Sequence, residues 1–437
     1  MRDFATSDCA EVQAQLDRLA ALSLPQGRFG LDTIRALLSA VGDPQHSLPP
    51  VFHVAGTNGK GSTCAFLRAM LEADGKAVHV FTSPHLVRFN ERIRVAGRLI
   101  ADAALAALLA EVLDAAQGAG LAPSFFEVTT AAAFLAFART PADACVIEVG
   151  LGGRFDASNA LERPAACGIA SLGIDHEAFL LAPEAGVPQA PLARIGFEKA
   201  GIAKPGAPLV TQAYPRDVAQ VIAQVAAQAR TELFPRGSAW RAKTEGERLA
   251  YFDAFGPLDL PLPTMPGAHQ ADNAALAVAM LRHQDRVRVS AEAMAAGIRA
   301  AHWPARLQLL DDGPLTALVP GRAVWLDGGH NADAGQALAR HLAGHDLHLV
   351  LGMLANKDPA SIIAPLAGQV LSLSIVPVPG HEAHAPEAFA GLTAAAVQSC
   401  PDVAAALAAL PPGGDVLIAG SLYLAGDVLR RNRQLPD

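Results

Sequence analysis

The chain has few cysteines, no C-x-x-C pair and no long uncharged apolar segment. Five of its 437 residues are cysteines, namely Cys9, Cys64, Cys145, Cys167 and Cys400. Their scattered spacing argues against a disulfide framework and against a cysteine zinc site, and it is typical of reduced thiols in the cytoplasm. The alanine-rich stretch 101–121 is interrupted by acidic residues, and the N-terminus contains acids and lacks an apolar core. We therefore expect neither a transmembrane helix nor a signal peptide.

Charged and aromatic residues are also scarce. Only 17% of the residues are charged and 5% are aromatic, whereas 51% are hydrophobic. The net charge of −8 and the lack of a Lys/Arg run argue against binding of nucleic acid. A chain of this length is too long for one simple core. The sequence thus predicts a cytoplasmic globular protein of two domains, which we expect to be monomeric and to act on small molecules.

A glycine-rich loop at 56–62 (GTNGKGS) follows the short apolar run 51–55 (VFHVA). Glycines allow backbone N–H groups to surround an anion, and the N-terminus of a following helix, predicted here over 64–73, adds a partial positive charge. Lys60 can neutralise the outer phosphates of a nucleotide. The common spacing G-x-x-x-x-G-K-[ST] would place a hydroxyl directly after this lysine, whereas here it comes one residue later, at Ser62. The alternative is an ordinary glycine-rich turn with a solvated lysine.

Strands alternate with helical patterns on both sides of this loop. Apolar runs at 77–81, 144–149 and 165–172 indicate further buried strands. Polar side chains stand at or just past the ends of these strands: Ser83, Glu148 and His176. Because ligands of parallel sheets bind at the carboxyl ends of the strands, these residues are candidates for a site. A second strand–loop–helix pattern at 323–342 begins a smaller α/β domain, and we place the domain boundary near residue 302.

Several motifs occur in a fixed order along the chain. They are the 56–62 loop, Ser83-Pro84-His85-Leu86, Glu148-Val149-Gly150-Leu151-Gly152-Gly153-Arg154, Asp175-His176, Glu198-Lys199-Ala200-Gly201, Asn273, Trp303-Pro304-Ala305-Arg306 and Asp327-Gly328-Gly329-His330-Asn331. Together they resemble the bacterial dihydrofolate synthase/folylpolyglutamate synthase family of the Mur-ligase superfamily, over nearly the whole chain. The resemblance implies a Mur-ligase-like P-loop ATPase and pterin-binding domain with a mostly parallel sheet (1–301). It also implies a smaller Rossmann-like glutamate-ligase domain (302–437).

The activity that the resemblance implies is that of an ATP-dependent amide ligase. The carboxylate of dihydropteroate or of a reduced folate takes the γ-phosphoryl group of ATP, and the amine of L-glutamate then attacks the acyl phosphate. Phosphoryl transfer depends mainly on positioning and charge neutralisation. The implied ATP contacts are Thr57, Asn58, Gly59, Lys60, Gly61, Ser62, Asn273, Arg306 and Asp327. Since Arg306 and Asp327 belong to the second domain, closure of the domains would complete the site; a helix N-cap is the alternative role for Asp327.

The metal ligands of the family fall on Ser83, Glu148 and His176, with two Mg²⁺ ions. Carboxylate and hydroxyl oxygens suit Mg²⁺, whereas imidazole prefers softer metals, so hydrogen bonding is the alternative for His176 and turn capping is the alternative for Glu148. In the family the lysine that matches Lys199 is carbamylated by CO₂, which turns a cation into a carboxylate that supports the second Mg²⁺. Here the alternative is a surface lysine paired with an acid. His330 is a further catalytic candidate beside Lys60, His176 and Lys199.

The pterin contacts of the family fall on three short segments. They are Gly27, Arg28 and Phe29; Ser124, Phe125, Phe126 and Glu127; and Phe155, Asp156 and Ala157. An aromatic ring to stack on and a carboxylate that accepts pterin N–H groups suit this ligand, although Phe125 or Phe126 could equally belong to the core. The span between His176 and Lys199 is longer than in typical members, mainly through a proline-rich loop at 181–192, and this loop is expected to alter access to the site.

Two other functions compete with this interpretation. One is a Mur-type ligase that adds an amino acid to a cell-wall precursor, and the other is a P-loop ATPase or GTPase that acts as a switch or carrier chaperone. The Ser-Pro-His-Leu turn and the Ser124–Glu127 segment favour the pterin enzyme over the first. A switch protein would have no need of Lys199 or Asp327.

Overall fold

A computed structural model describes residues 5–22 and 30–437, which form two compact units. The larger unit comprises the chain up to Pro84, Arg88–Thr264 and Gln270–His302, and the smaller unit comprises His85–Val87, Met265–His269 and Trp303–Asp437. Each unit has a sheet and an apolar core of its own.

The described part of the larger unit alternates helices with strands. Its strands are β1 (Val51–Ala55), β2 (Val78–Phe81), β3 (Ile93–Val95), β4 (Arg98–Leu99), β5 (Ala144–Glu148), β6 (Ala166–Ile169), β7 (Leu209–Thr211), β8 (Leu233–Pro235), β9 (Trp240–Glu245), β10 (Arg248–Asp253) and β11 (Gly256–Pro261). Its helices are α1 (Ala10–Ala20), α2 (Asp32–Ala40), α3 (Lys60–Ala73), α4 (Asp102–Gly118), α5 (Phe125–Ala138), α6 (Glu177–Leu180), α7 (Pro191–Ala200), α8 (Arg216–Gln228), α9 (His269–Arg282) and α10 (Ala291–Ala300).

The strand that precedes the glycine-rich loop lies inside the main sheet, whose order is β4-β3-β2-β5-β1-β6-β7-β8. β1 pairs in parallel with β5 and with β6, so that Val54 lies opposite Glu148 and Ala55 lies opposite Ile169. β3 pairs antiparallel with β2 and with β4, whereas the other pairs are parallel. The predicted α/β fold with a mostly parallel sheet is confirmed. Its consequence for function is that the carboxyl ends of β1, β5 and β6 lie side by side.

Apolar helices cover this sheet. One core is formed by α1, α2, α4 and α5 against strand residues such as Val51 and Ile147. A second core is formed by α7 and α8 against Cys167 and Ile169. α3 packs on β1, β2 and β5 and against α10. Because the central strands are buried along their whole length, their sequences are continuous apolar runs rather than alternating ones.

A separate three-stranded antiparallel sheet, β11-β10-β9, follows the main sheet in the sequence. This sheet is not predicted from the sequence. Its strands are six residues long, and Trp240, Leu249 and Tyr251 are buried, whereas Arg241, Lys243 and Arg248 are exposed. Gly246, in the left-handed region at φ 59°, makes the turn between β9 and β10. This glycine between two short alternating runs was the available hairpin signal.

The smaller unit repeats the α/β pattern around a second sheet. Its strands are β12 (Gln308–Leu309), β13 (Val324–Leu326), β14 (Leu347–Leu351), β15 (Val370–Ile375), β16 (Ala396–Ser399) and β17 (Asp415–Ala419). Its helices are α11 (Ala332–His341), α12 (Ala360–Leu366), α13 (Val403–Ala408) and α14 (Leu422–Arg431). The sheet order is β12-β13-β17-β14-β15-β16. Among the described strands of this sheet, β12 pairs antiparallel with β13 and the other pairs are parallel.

Two predicted boundaries shift in the structure. α3 begins at Lys60, not at residue 64, because the last part of the glycine-rich loop already has helical conformation. The proline-rich loop ends at residue 190, since Pro191 occupies the first turn of α7, where a missing N–H costs nothing. Within the described ranges, no helix is both long enough and apolar enough to cross a bilayer.

His53 is a buried histidine in the middle of β1. Its Nε2 lies 2.9 Å from the hydroxyl of Ser158. Burial, with a smaller contribution from the positive charge of Lys204, lowers the pKa of His53 to about 3. In the unfolded chain a histidine titrates near its ordinary pKa of about 6.5. Between pH 6.5 and pH 3, His53 is therefore protonated in the unfolded state but neutral in the folded state.

We predict that the His53→Gln variant loses less stability in acid than the wild type. The contribution of His53 is present in full above pH 6.5 and is lost as the pH falls towards 3, with a slope of up to about 1.4 kcal/mol per pH unit. Glutamine keeps a hydrogen-bonding group without this titration. Denaturant unfolding between pH 7 and pH 4 measures the slope, with the exposed His302→Gln variant as control. Equal slopes for wild type and His53→Gln would contradict the prediction.

Candidate active site

The glycine-rich loop is fixed to the neighbouring strand end by backbone hydrogen bonds. The N–H of Thr57 donates to the carbonyl of Ser171 at 2.8 Å, and the Thr57 hydroxyl donates to the carbonyl of Gly173 at 2.9 Å. Gly59 has a φ of 83°, and a Cβ there would overlap the side-chain amide of Asn273. Two independent reasons therefore require glycine at this position, and Asn273, on α9, packs directly on the loop.

Two lysines meet at the carbonyl oxygen of Gly56. Lys60 Nζ donates to it at 3.0 Å and Lys199 Nζ donates to it at 2.9 Å. Lys199 is only 4% exposed. Burial and the positive charge of Lys60 lower the pKa of Lys199 to about 7, against the opposing effect of acids such as Asp175. The structure thus brings together the two predicted catalytic lysines, and it makes the second one far easier to deprotonate than an ordinary lysine.

Two predicted metal ligands meet at the ends of β2 and β5. The backbone N–H of Ser83 donates to Glu148 Oε2 at 3.2 Å, and Glu148 is buried at the carboxyl end of β5. His176 follows β6 in a left-handed conformation with φ 54°, and its N–H donates to Asp175 Oδ1 at 2.7 Å. A buried carboxylate beside a hydroxyl side chain is a donor set that fits Mg²⁺.

The side chains at this place are too few to hold a metal ion by themselves. Across residues 5–22 and 30–437, no group of three or more His, Cys, Asp or Glu side chains is arranged to hold a metal ion. A Mg²⁺ site here would therefore rely on Ser83, Glu148 and His176, together with an anionic group that is not a His, Cys, Asp or Glu side chain. A carbamate on Lys199 or a phosphate of the nucleotide would supply such oxygens.

The predicted ATP contacts of the smaller unit form a turn of their own. Both carboxylate oxygens of Asp327 accept backbone N–H groups, one from Leu307 at 2.7 Å and one from Gly329 at 2.6 Å. Arg306 lies between Ala305 and Leu307, whose φ angles of 54° and 47° are strained for residues with a Cβ. Asp327 therefore fixes the backbone that carries Arg306. In the next turn, His330 Nδ1 lies 3.1 Å from the carbonyl of Gly328.

Two of the predicted pterin contacts, Ser124 and Glu127, form a capping box at the start of α5. Glu127 Oε2 accepts the Ser124 N–H at 2.7 Å, and the Ser124 hydroxyl oxygen accepts the Glu127 N–H at 3.3 Å. The ring of Phe125 packs edge-on against Phe89, and the ring of Phe126 lies against Gly150, where a Cβ would overlap it. These contacts give the segment a structural role, and its contact with a pterin stays a prediction.

The third predicted pterin segment, 155–157, lies in the loop after β5. Asp156 is buried, and its carboxylate accepts N–H groups from Ser158 at 3.0 Å and from Leu151 at 2.8 Å. Burial raises the pKa of Asp156, and these hydrogen bonds oppose the effect. Phe155 lies under the guanidinium of Arg154, whose carbon is 4.2 Å from the ring centre, and Ala157 is buried. Gly27, Arg28 and Phe29 lie outside the described residues.

No role for the carbonyl group of Gly56 is predicted from the sequence. Gly56 is the first residue of the glycine-rich loop and directly follows β1, but its two lysine partners come from positions 60 and 199. Only the fold brings them together. Asp175 was seen as part of a motif, and the structure adds that its charge acts on Lys199.

Comparison with known proteins identifies the family. No protein-family model matches the chain. The folylpolyglutamate synthase of Lacticaseibacillus casei is 34% identical over 414 residues, which covers 90% of this chain and 92% of that protein. The dihydrofolate synthase/folylpolyglutamate synthase of Bacillus subtilis is 34% identical over 365 residues, covering 77% and 78%.

A longer relative from Haloferax volcanii, a probable bifunctional folylpolyglutamate synthase/dihydropteroate synthase, is 35% identical over 426 residues. The match covers 92% of this chain but about half (48%) of that protein's length.

Solved structures agree with these relatives. Escherichia coli FolC in complex with DHPP and ADP is 31% identical, with a TM-score of 0.83 over 96% of this chain and 97% of that one. A bifunctional folylpolyglutamate synthase/dihydrofolate synthase with Mn, AMPPNP and L-glutamate bound is 31% identical, with a TM-score of 0.81 over 98% and 99%. On this similarity in sequence and fold, the chain belongs to the dihydrofolate synthase/folylpolyglutamate synthase family of ATP-dependent ligases.

Proposed function

We propose that this chain adds L-glutamate to 7,8-dihydropteroate and to reduced folates, with ATP converted to ADP and phosphate through an acyl phosphate. The observation that carries the proposal is the pair of lysines on the Gly56 carbonyl at the glycine-rich loop. The printed names and ligands of the relatives, which include DHPP, ADP, AMPPNP and L-glutamate, support this choice of substrates.

The loop binds the phosphates of ATP. The amides of Thr57 to Gly61 and the N-terminus of α3 surround the anion, and Lys60 neutralises the outer phosphates. Lys60 Nζ donates to the carbonyls of Gly56 and Thr57, at 3.0 and 3.3 Å. A phosphate replaces these neutral acceptors with a charged one, which strengthens the hydrogen bond. Asn273, Arg306 and Asp327 are the further ATP contacts that the family assignment implies.

Ser83, Glu148, His176 and Lys199 would hold the Mg²⁺ ions, two in number. Mg²⁺ supplies charge neutralisation to the phosphates during transfer. Lys199 fits this role only as a carbamate, because an ammonium would repel the metal while a carbamate presents two oxygens. Its burial and its position beside Lys60 favour the neutral amine that reacts with CO₂.

The two remaining substrates bind around the same strand ends. The pterin contacts are those of the Gly27–Phe29, Ser124–Glu127 and Phe155–Ala157 segments, and the carboxylate to be activated faces the γ-phosphate held by Lys60. His330, in the loop that follows Asp327, is the remaining catalytic candidate. A cytoplasmic location and a monomeric state are part of the proposal.

Product analysis tests this function directly. The enzyme is incubated with ATP, Mg²⁺ and L-glutamate, and either dihydropteroate or tetrahydrofolate, and the products are identified by mass spectrometry. We expect one glutamate to be added to dihydropteroate and further glutamate to be added to the reduced folate. Ligation only to a UDP-sugar peptide would replace the proposal by a cell-wall ligase, and ATP hydrolysis without ligation would favour a P-loop ATPase.

The Lys60→Ala variant should lose turnover by at least about a hundredfold, which is the order expected for one preorganised electrostatic contact with the transferred group. Phosphate release in the presence of all substrates measures the loss. The exposed Lys243→Ala variant is the control and should behave as the wild type. A folded Lys60→Ala protein with near-normal turnover would remove this loop from the mechanism.

The Lys199→Ala variant should be inactive but folded, and Lys199→Arg should be no better, because arginine keeps the charge and cannot form the carbamate. Small carboxylic acids should restore part of the turnover of Lys199→Ala, since their carboxylate can occupy the vacated place. Turnover with and without added acetate measures this rescue. Full activity of the Lys199→Arg variant would refute the carbamate.

A further inference from the structure

Glu184, in the extended loop between α6 and α7, binds two arginines. Its Oε2 accepts from Arg154 Nη2 at 2.6 Å and from Arg194 Nη2 at 2.9 Å, and its Oε1 accepts from Arg154 Nη1 at 3.2 Å. The side chain is 18% exposed, so these contacts are largely shielded from solvent. The loop between α6 and α7 is thus tied to residues near the proposed metal site.

The same two arginines bind the residue next to Lys199. Arg154 donates to both carboxylate oxygens of Glu198, at 3.1 Å from Nε and 2.8 Å from Nη2. Arg194 Nε lies 3.1 Å from Glu198 Oε1. We name these four residues, Arg154, Glu184, Arg194 and Glu198, the arginine–glutamate cluster. Two guanidinium groups face two carboxylates, so the cluster is neutral as long as all four members are present.

Beneath the cluster, the loop after β5 touches the end of α7 backbone to backbone. The Arg154 N–H donates to the Glu198 carbonyl at 2.7 Å. A Cβ at Gly153 would come within 2.7 Å of that carbonyl, and a Cβ at Gly201 would come within 2.6 Å of the Arg154 Cα. The side-chain amide of Asn159 donates to the carbonyls of both Arg154 and Gly201, each at 3.0 Å. This contact couples the strand that ends in Glu148 to the helix that carries Lys199.

We propose that the arginine–glutamate cluster positions the metal ligands Glu148 and Lys199, with Glu184 and Arg154 as positioning residues supplied in part by the extended loop. This inference rests on the proposed function, because it takes those two residues as the metal ligands. If Glu184 loses its charge, the buried guanidinium of Arg194 and the partly buried guanidinium of Arg154 share Glu198 as the remaining carboxylate of the cluster. Burying a charge without a partner raises the free energy of the folded state. The two arginines therefore move to new positions, and this movement shifts the backbone contact between Arg154 and Glu198 that holds Lys199 in place.

A purely structural role for the cluster makes a different prediction. If the cluster only stabilised the loop, its disruption would lower the melting temperature and leave the affinity of the folded enzyme for a divalent cation unchanged. Residues that orient metal ligands, by contrast, typically change metal affinity by about 10- to 100-fold when they are substituted.

The test measures Mn²⁺ binding by the Glu184→Gln variant in the presence of AMPPNP, with electron paramagnetic resonance reporting the free Mn²⁺. We expect the dissociation constant of Mn²⁺ to rise at least about tenfold relative to the wild type. Glu111→Gln is the matched control, because Glu111 on α4 makes a similar paired contact with Arg139, which directly follows α5. This pair is more exposed than the cluster and shares no residue with it. Its Mn²⁺ affinity should equal that of the wild type.

A second variant, at another residue of the cluster, keeps the inference testable if Glu184→Gln does not fold. Arg154→Lys keeps the charge but lacks the planar guanidinium whose Nε, Nη1 and Nη2 bind both carboxylates, so it should also weaken Mn²⁺ binding by about tenfold. Unchanged Mn²⁺ affinity in both folded variants would overturn the inference while the proposed function stands. A wild-type enzyme that binds Mn²⁺ but ligates no glutamate would instead overturn the proposed function, and a wild type that binds no Mn²⁺ would overturn the metal site itself and so both.

Discussion

The arrangement depends on one carbonyl oxygen, that of Gly56, which accepts hydrogen bonds from the amines of Lys60 and Lys199. Burial disfavours the charged form of Lys199, and repulsion by the nearby ammonium of Lys60 adds to this effect, so that the pKa of Lys199 is lowered to about 7. The repulsion between the two lysines disappears when Lys60 is paired with an anion and Lys199 loses its positive charge. In our account Lys60 receives the phosphates of ATP, and Lys199 becomes an anion itself by taking up CO₂.

The parallel sheet brings these groups together because β1, β5 and β6 are neighbours. Their carboxyl ends carry the glycine-rich loop, Glu148 and the turn before His176. Close backbone contacts at Gly153 and Gly201 then set the end of α7 against the loop after β5. Glycine is needed at both positions because a single added carbon would separate the two segments, and with them the proposed metal ligands.

Much of the fold could be predicted from the sequence. Continuous apolar runs identify the buried parallel strands, and the glycine-rich loop and the polar residues at the strand ends identify the edge of the sheet that carries the candidate site. The antiparallel strands β9–β11 were missed because each buries only one face over six residues. Ser124 and Glu127 form the S-x-x-E pattern that is typical of a capping box at a helix N-terminus, but the family resemblance led us to predict only pterin contacts for them. The contact of Glu184 with Arg154 joins residues 30 positions apart, and no local pattern announces it.

The carbamate on Lys199 is the claim on which the proposed mechanism depends most. Enzyme equilibrated at neutral pH with ¹³C-labelled bicarbonate, Mg²⁺ and AMPPNP can be examined by ¹³C NMR for a protein-bound carbamate signal. The account predicts such a signal in the wild type and its loss in the Lys199→Arg variant. A wild-type enzyme that is active in the same buffer but shows no bound carbamate would contradict it.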